Sequence, residues 1–269
     1  MADPSPMMRR ERRLPWEEVL FLCLLLGSLA GLLWTPHPPL AQDFREQAWE
    51  GPSLRHWMGV DAMGRDVFSR TWRGAANSVA MGLTATALTL LLAGMLLLAR
   101  EGLGRPIRRV IDFGVRLWVA LPVVMVALVL LVFLNPSPAT LCLAAALGNL
   151  PFAYRQGRIT WKERRRELYV LSSEVLGARG ITLWRNALWP AMAPDLLAIV
   201  RLLFALSLLE LSGLAFLGLA GDPDFPELGA LARQHQSYLM QQPSLVLWPG
   251  LWLVLLLTSN HLAGRSRQG

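Results

Sequence analysis

Six long apolar runs constrain what this chain can fold into more than any other feature of its sequence. They lie at residues 16–34, 79–99, 110–134, 139–153, 196–220 and 245–262. A helix needs about 20 mostly apolar residues to cross a hydrocarbon layer of about 30 Å. Five runs reach or approach that length, and the fourth completes a crossing only if Pro138 and residues 154–157 are added. The pattern predicts an all-α integral membrane protein with six transmembrane helices.

The composition excludes the main soluble classes. Hydrophobic residues make up 54% of the chain and charged residues 17%, against about 45–50% and about 25% in average soluble proteins. Glycine and proline show no period, which argues against a fibrous protein. The two cysteines, Cys23 and Cys142, both lie inside apolar runs, so a secreted domain held together by disulfides is excluded as well.

The positive charge is arranged as a signal of orientation. The net charge is +7, and Lys162 is the only lysine. Short arginine clusters alternate with apolar runs, which is not the pattern of a nucleic-acid-binding face. On alternating sides of six spans, 18 of the 26 basic residues fall on one side and 6 on the other. Because cytoplasmic loops carry the excess, we predict that both termini lie in the cytoplasm.

These boundaries divide the chain into segments. We interpret the first span as an uncleaved anchor, because the sequence after Trp34 is proline-rich and has no small-residue cleavage site. Two external helices are predicted, an interfacial helix over residues 64–74 and a short helix over residues 227–240. The predicted segments are a cytoplasmic tail (1–15), the anchor (16–35), an external segment (36–74), a five-span core (75–262) with a cytoplasmic loop (156–190) and an external loop (221–244), and a cytoplasmic tail (263–269).

Catalytic constellations are missing from the sequence. A phosphate-binding loop needs a lysine after glycine, but Lys162 follows Trp161. There is no H-E-x-x-H pair for zinc and no G-x-S-x-G elbow for a nucleophilic serine. Four histidines are scattered, and none has a carboxylate or a cysteine at ligand spacing in the sequence; they are His37, His56, His235 and His261. We therefore predict no catalytic residue, no metal site and no cofactor in this chain.

Arg116, Arg201 and Glu210 are charged residues inside the predicted spans, where charge is costly and often functional. Arg201 and Glu210 both lie in the fifth run, nine positions apart, on roughly opposite sides of a helix. They are therefore not expected to pair directly. Arg201 can extend toward the cytoplasmic surface, whereas Glu210 should face a cavity or another helix. Arg116 lies in the third run.

The cytoplasmic loop at 156–190 is longer than most connections in compact proteins, which suggests a function. Apolar residues recur at helical spacing at Leu168, Leu171, Val175 and Leu176. Gly177 and Gly180 then break the pattern, and a second helical run at 181–188 is expected to stop before Pro190. Two interpretations of this loop remain open: a pair of helices at the membrane interface, or a docking element for a soluble partner.

Three sequence motifs resemble the permease subunits of type I ABC importers of the dipeptide/oligopeptide/nickel class. The run H-W-M-G-V-D-A-M-G-R-D-V-F-S-R at 56–70 is similar to the external signature of that class. The loop just described is similar to its EAA loop, with Pro190 thirteen residues after Gly177. The third motif comprises A-F-L-G-L at 215–219, P-E-L-G-A at 226–230 and W-P-G at 248–250.

The resemblance implies a transport subunit, not an enzyme, with the type I importer transmembrane fold in a bacterial inner membrane. The implied partners are a second homologous permease, two ATPase subunits that bind ATP and Mg²⁺, a periplasmic or lipid-anchored substrate-binding protein, and membrane lipid. The expected ATPase contacts are Glu167, Leu171, Ser172, Ser173, Val175, Leu176, Gly177, Ala178, Ile181, Leu183, Trp184 and Pro190. The expected signature residues are His56, Gly59, Asp61, Gly64, Arg65, Asp66, Ser69 and Arg70.

The cargo is left open by these motifs. Short peptides are the first expectation, because the class mostly handles them. Nickel or a metal–metallophore complex is the alternative, and a secondary transporter using Glu210 and Arg201 is a distant one. The sequence also departs from the class: Leu171-Ser172-Ser173 occupies the EAA positions, and Arg116 stands where aspartate is usual.

Overall fold

The structure is a computed structural model, and it describes residues 16–42, 48–102, 104–178, 180–222 and 224–265. The predicted N-terminal tail and the last four residues lie outside this part of the chain. So do Arg179 and the side chain of Ile181.

The described chain is helical, with one isolated antiparallel bridge between Val60 and Asp66. A π-helical turn at Trp184–Leu188 joins α7 to α8, and a 3-10 turn at Gln236–Tyr238 follows α9. The helices are α1 (Trp16–Ala30), α2 (Val67–Gly102), α3 (Arg105–Trp118), α4 (Val123–Phe133), α5 (Pro138–Arg164), α6 (Leu168–Val175), α7 (Gly180–Leu183), α8 (Trp189–Phe216), α9 (Leu228–His235) and α10 (Ser244–Arg265).

In the described residues, three helices are long and apolar enough to cross a membrane: α2, α8 with its preceding π turn, and α10. A fourth crossing is available if α3 and α4, which meet at 98°, form one broken span. Helix α1 has 15 residues, which is short of the usual length, and α5 does not meet the same criteria. The helical membrane fold is confirmed, whereas the count of six stays a prediction.

The third predicted span is not a continuous helix. Pro122 begins α4 in an extended conformation, and a proline disfavours helix at the residue before it. Charged residues recur every three or four positions along α3, at Arg105, Arg108, Asp112 and Arg116, so α3 has a polar side that a lipid-embedded helix would not have. This charged side lies next to the basic residues at the ends of α2 and α5.

The predicted interfacial helix over residues 64–74 is also wrong as a separate element. Helix α2 begins at Val67 and continues unbroken for 36 residues, about 54 Å at the usual rise. Asp66 precedes it and accepts a hydrogen bond from the Ser69 amide at 2.7 Å, which is the geometry of a helix N-cap. The short helix predicted over residues 227–240 is found as α9 with its 3-10 extension.

Helix α2 packs at the centre, against α1, α5, α8 and α10. Small residues at these contacts allow the central packing, because they let the helix backbones approach closely. Ala75, Ala76 and Ala85 of α2 and Ala145 of α5 have no exposed surface. A Cβ added at Gly82 would lie 3.2 Å from the Phe204 ring of α8.

Helix α9 packs against the N-terminal part of α2 and the C-terminal end of α8. The Glu227 carboxylate is buried and accepts hydrogen bonds from Ser78 at 2.8 Å, from Ser212 at 2.7 Å and from the Ala230 amide at 3.0 Å. It thus caps its own helix and joins three elements. Next to it, a Cβ built on Gly229 would lie only 1.9 Å from the Ser212 carbonyl oxygen.

This close approach predicts the effect of Gly229→Ala. The new methyl group forces α9 away from α8, and overpacking of this kind costs about 1–3 kcal/mol. We expect a lower midpoint of thermal unfolding for the detergent-solubilised protein. Gly213→Ala is the matched control, because a Cβ there meets nothing within 4 Å. Equal midpoints for the two variants would contradict the packing argument.

Candidate functional site

The loop after α5 folds into a sharp corner of two short helices, which we call the elbow (residues 167–190). Helix α6 ends in a Schellman motif: the Gly177 amide donates to the Glu174 carbonyl and the Ala178 amide donates to the Ser173 carbonyl, each at 3.0 Å. Gly177 has φ +92° and Gly180 has φ +57°, a left-handed region that glycine adopts without steric cost. The glycines thus determine the angle of the corner.

The elbow has a buried back and an exposed front. On the back, Val170, Leu183, Ala187 and Leu188 are buried and pack against Trp161, Ala178 and Ala191. On the front, the exposed fractions of Leu168, Val175 and Leu176 are 85%, 87% and 88%. Exposed apolar clusters of this kind on an otherwise packed element mark interaction sites.

The second helical run does not stop before Pro190, contrary to the prediction. It continues through the π turn directly into α8. Proline cannot donate to the carbonyl four residues earlier, which here is that of Asn186. The Tyr169 hydroxyl donates to this carbonyl instead, at 2.7 Å. A side chain of α6 therefore satisfies the group that Pro190 leaves open, and it joins the two halves of the elbow.

An ion pair fastens the elbow to the helix ends around it. The Arg164 guanidinium at the end of α5 binds both carboxylate oxygens of Asp195 in α8, through Nε at 2.6 Å and a terminal nitrogen at 2.9 Å. This two-point geometry is stronger and more directional than a single contact. Arg164 also binds Glu167, which precedes α6. The elbow therefore has little freedom to swing independently of α5 and α8.

The structure brings the predicted elbow residues together but does not expose all of them. Leu183 is buried in the back and supports the corner from inside. Leu168 and Tyr169 are missing from the ATPase contacts predicted from the sequence, although Leu168 belongs to the apolar residues that recur at helical spacing. The exposed members are Leu171, Ser172, Val175, Leu176, Gly177, Trp184 and Pro190, and the half-buried ones are Glu167, Ser173 and Ala178.

At the other end of α2, the signature loop (residues 56–70) folds into a small buried turn. The Asp61 amide donates to the Arg65 carbonyl at 3.0 Å, and the Val67 amide donates to the Gly59 carbonyl at 3.1 Å. Gly59 and Gly64 have φ +81° and +73°. All eight predicted signature residues are buried, so the motif works as an internal clamp.

Asp61 is the centre of this clamp. Its carboxylate accepts from the Arg65 amide at 3.0 Å and from the Arg65 guanidinium at 2.7 Å, and His235 of α9 lies 3.7 Å away. Burial alone would raise the pKa of Asp61, but His235 and Arg65 outweigh it and hold the pKa well below its usual range. Arg65 also donates to Asp224 at 3.0 Å, so the clamp fastens the start of α2 to the loop between α8 and α9.

A second set of contacts joins the clamp to the segment after α1. His56 Nδ1 lies 2.8 Å from Asp66 Oδ1, and the His37 amide donates to the Ser69 hydroxyl at 3.1 Å. Arg70, which is 1% exposed, binds the Pro39 carbonyl at 3.2 Å and the Gln234 side chain at 2.8 Å. The spacing of these histidines along the chain does not predict that they lie together, because only the fold brings His37 next to a motif almost twenty residues away.

The predicted intramembrane charges have separate partners. Glu210 of α8 accepts from the Asn149 amide of α5 at 2.6 Å. Arg201 does not extend into solvent: it pairs with buried Glu18 of α1 at 3.3 Å and donates to the Ala263 carbonyl of α10. The prediction that Arg201 and Glu210 do not pair is confirmed.

Arg116 belongs to a different environment from the other two. It lines a basic pocket of about 580 Å³ formed by the ends of α2, α3 and α5. The other residues that line this pocket are Arg100, Glu101, Asp112, Arg158, Trp161, Lys162, Arg165 and Arg166. The intramembrane position of Arg116 therefore stays a prediction, and within the fold α3 turns its charged side toward the basic residues at the ends of α2 and α5.

Comparison with known proteins places this architecture in a class. The family described as binding-protein-dependent transport system inner membrane component matches residues 90–262, more than half of the chain. The chain belongs to this family, and it is thus a permease component of an ABC importer and not an enzyme.

Its relatives include permeases for different cargoes. The glutathione transport system permease protein GsiD of Pectobacterium atrosepticum is 27% identical over 284 residues, which cover 98% of this chain and 93% of the relative. The nickel transport system permease protein NikC of Escherichia coli K12 is 28% identical over 252 residues, 91% of this chain and 88% of the relative. The dipeptide transport system permease protein DppC of Alkalihalophilus pseudofirmus is 29% identical over 216 residues, 80% and 71%.

A solved structure confirms the fold. A chain of the MetNI methionine ABC transporter, determined in inward-facing conformations, superposes with a TM-score of 0.59. The match covers 72% of this chain and 92% of the other at 18% identity. An identity this low shows the type I importer fold alone.

The contacts of Arg65 predict that removing the charge of Asp61 and removing that of Asp224 have unequal effects on stability. Asp61→Asn leaves a buried guanidinium with one exposed partner and should cost up to about 3–5 kcal/mol. Asp224→Asn removes a side chain that is 56% exposed, and should cost about 0–1 kcal/mol. Hydrogen–deuterium exchange of residues 56–70 in nanodiscs measures both.

The depressed pKa of Asp61 determines how the clamp responds to acid. A carboxyl whose pKa falls on folding contributes stability above its ordinary value of about 3.9 and loses it only as the pH falls toward the lowered one. The contribution of Asp61 to protection of residues 56–70, measured as the difference between the wild type and Asp61→Asn after correction for intrinsic rates, should therefore not be lost through protonation of Asp61 between neutral pH and about pH 5. Equal protection in Asp61→Asn and Asp224→Asn would argue against a clamp centred on Asp61.

Tyr169→Phe tests the bond that closes the elbow. Without the hydroxyl, the Asn186 carbonyl next to Pro190 loses its donor, at a cost of about 1 kcal/mol. We expect faster proteolytic cleavage within residues 168–188. Ser172→Ala is the control, because its exposed hydroxyl only donates to the Tyr169 carbonyl within α6. Cleavage at the same rate in both variants would show that the elbow does not depend on this bond.

Proposed function

We propose that this chain is the transmembrane subunit of an ATP-driven importer of short peptides in the bacterial inner membrane, with both termini in the cytoplasm. It would pair with a homologous permease and take its energy from two separate ATPases, which bind ATP and Mg²⁺. A periplasmic or lipid-anchored binding protein would deliver the cargo. The elbow would be the docking element for one ATPase, and the signature loop would lie on the periplasmic side.

The exposed front of the elbow is the observation that carries this proposal. Leu168 and Val175 of the eight-residue helix α6 and Leu176 at its C-cap are almost fully exposed, whereas Val170 of the same helix is buried. An exposed apolar cluster on a rigid corner suits a cleft in a soluble partner. The alternative interpretation, an interfacial helix pair, does not require a corner held by two left-handed glycines.

The contacts behind the elbow support a mechanical role. The π turn makes the elbow continuous with α8, and the Arg164–Asp195 pair joins it to α5. A displacement of the elbow by an ATPase would therefore move both helices, which also carry the partly buried Asn149–Glu210 contact. Such a displacement would drive alternating access as a rigid-body transition between two states.

The cargo is the finer part of the proposal. Two of the relatives above are permeases for glutathione and for dipeptides, which are peptides, and this favours short peptides. A third is a nickel permease with similar identity, so nickel or a metal–metallophore complex is the second candidate.

Charge placed on the elbow tests the docking role. Val175→Asp and Leu176→Asp put a carboxylate on the exposed front without touching the buried back. We expect transport and cargo-stimulated ATP hydrolysis to fall at least about tenfold, which corresponds to about 1.4 kcal/mol of lost docking energy. Co-purification of the ATPases should fall in parallel, whereas membrane insertion should not change.

Met240→Asp is the control for these variants. This side chain is 94% exposed and lies between α9 and α10, away from the elbow. It should retain the ATPases in full. ATPase retention in the elbow variants equal to that of the control would overturn the docking role.

Gly177→Val separates the angle of the corner from its surface. A Cβ at this position meets nothing within 4 Å, so the main cost comes from a positive φ that a β-branched residue rarely adopts. Loss of uptake with normal membrane insertion is the expected result. Normal uptake would mean that the angle of the corner is not needed for coupling.

Two further measurements address the cargo and the energy source. The complete transporter should take up labelled short peptides, and excess Ni²⁺ should not compete; the reverse result would assign the nickel alternative. The permease pair reconstituted in liposomes without ATPases should move no cargo. Uphill uptake under those conditions would instead favour a secondary transporter.

A further inference from the structure

Two histidines and an aspartate meet where the segment after α1 crosses the start of α2. One ligand atom from each of His37, His56 and Asp66 lies within 4.8 Å of the other two. His56 Nδ1 is 2.8 Å from Asp66 Oδ1, and His37 Nδ1 is 3.8 Å from Asp66 Oδ2. The two imidazole rings are 4.8 Å apart between centroids, with 32° between their planes.

The His37 nitrogen indicates that this cluster is more than a buried ion pair. The His37 side chain is 41% exposed, yet its Nδ1 atom is fully buried and has no hydrogen-bond partner. Leaving a buried polar atom without a partner is unfavourable. A fourth group placed between the three side chains would satisfy this atom, and the donor set identifies the kind of group.

The backbone around His37 is already fixed in place. Its amide donates to the Ser69 hydroxyl at 3.1 Å, and its carbonyl accepts from the Thr35 hydroxyl at 2.9 Å. Ser69 also donates its amide to Asp66 Oδ2 at 2.7 Å. One serine therefore positions both His37 and Asp66, while Asp66 Oδ1 stays directed at His56.

From this geometry we propose that His37, His56 and Asp66 bind a divalent transition-metal ion, Zn²⁺ or Ni²⁺, on the same side of the protein as the signature loop. Ligand bonds of about 2.0–2.2 Å around a tetrahedral ion place the ligand atoms about 3.4 Å apart. The distances from Asp66 to His56 Nδ1, 2.8 Å, and to His37 Nδ1, 3.8 Å, lie on either side of this value. All three ligand atoms lie within 4.8 Å of one another, so rotation of the side chains would be needed to bring them to the same distance from one ion.

The ligand types select the metal. Imidazole nitrogens combined with one carboxylate suit Zn²⁺, Ni²⁺ or Cu²⁺, whereas Mg²⁺ and Ca²⁺ prefer oxygen ligands alone. His37 and Asp66 also line a small pocket of about 140 Å³, which gives a path from solvent and room for an exchangeable fourth ligand. Arg55 lines the same pocket, so water or an anion suits that position.

Metal binding would have a mechanical consequence. His37 belongs to the proline-rich segment that follows α1, and Asp66 caps α2. The ion would therefore connect the anchor helix to the signature loop on the outer side of the membrane. This role holds for either cargo, and it does not make the ion a transported species.

The test uses the complete transporter, purified through an affinity tag without histidines and stripped of metal by a chelator. Zn²⁺ is titrated in competition with a chromogenic chelator, for the wild type and for His37→Ala. The wild type should bind one more Zn²⁺ per transporter than the variant does, or bind it at least about tenfold more tightly. Co²⁺ in place of Zn²⁺ should give the visible absorption of nitrogen and oxygen ligands, reduced in the variant.

Two further variants keep the test decisive. His261→Ala removes an exposed histidine of α10, and it should bind Zn²⁺ as the wild type does. Asp66→Asn keeps an oxygen that can accept from Ser69, but it should weaken Zn²⁺ binding as His37→Ala does. The proposal is overturned if the wild type and His37→Ala bind equally, or if His261→Ala loses as much binding as His37→Ala.

Discussion

Backbone polar groups that proline leaves open in the helices are the constraint on which this architecture depends. In an apolar layer, each unsatisfied carbonyl costs several kcal/mol, so a carbonyl that proline frees is stabilised by a donor from a neighbouring helix. Pro151 frees the Leu147 carbonyl within α5, and the Trp118 indole of α3 donates to it at 3.0 Å. Tyr169 does the same at Asn186 for Pro190. Both donors come from another helix, so each proline becomes a fixed joint between two helices.

The same logic governs the charged residues. Few of them are isolated in the packed interior: Glu18 pairs with Arg201, Asp61 pairs with Arg65, and Glu227 accepts three hydrogen bonds. A buried pair adds little net stability, but breaking it is costly. The main effect of these pairs is therefore on geometry, because each one holds two segments of the chain in one position relative to each other.

The sequence predicts the elements of this fold better than it predicts their joints. Run length and periodicity located α2, α8, α10, the elbow and the glycine corner, because those signals are local. In the sequence, only the pair Leu121-Pro122 marks the break between α3 and α4. The long apolar run around this pair predicts one continuous span instead. The Tyr169, Trp118 and His37 contacts could not be predicted, because each joins residues that only the tertiary fold brings together.

The elbow and the signature loop lie at opposite ends of one packed unit. Helix α2 begins in the clamp, and its far end meets α5 where a Cβ on Gly157 would be 2.8 Å from Leu97. Helix α8 begins in the elbow and ends against α9, which the clamp holds through Gln234 and His235. Because small residues pack these helices without slack, the interior favours whole-body movement over local bending. A force applied at the elbow would therefore reach the opposite side through helix bodies, without the need for a separate chain of mobile side chains.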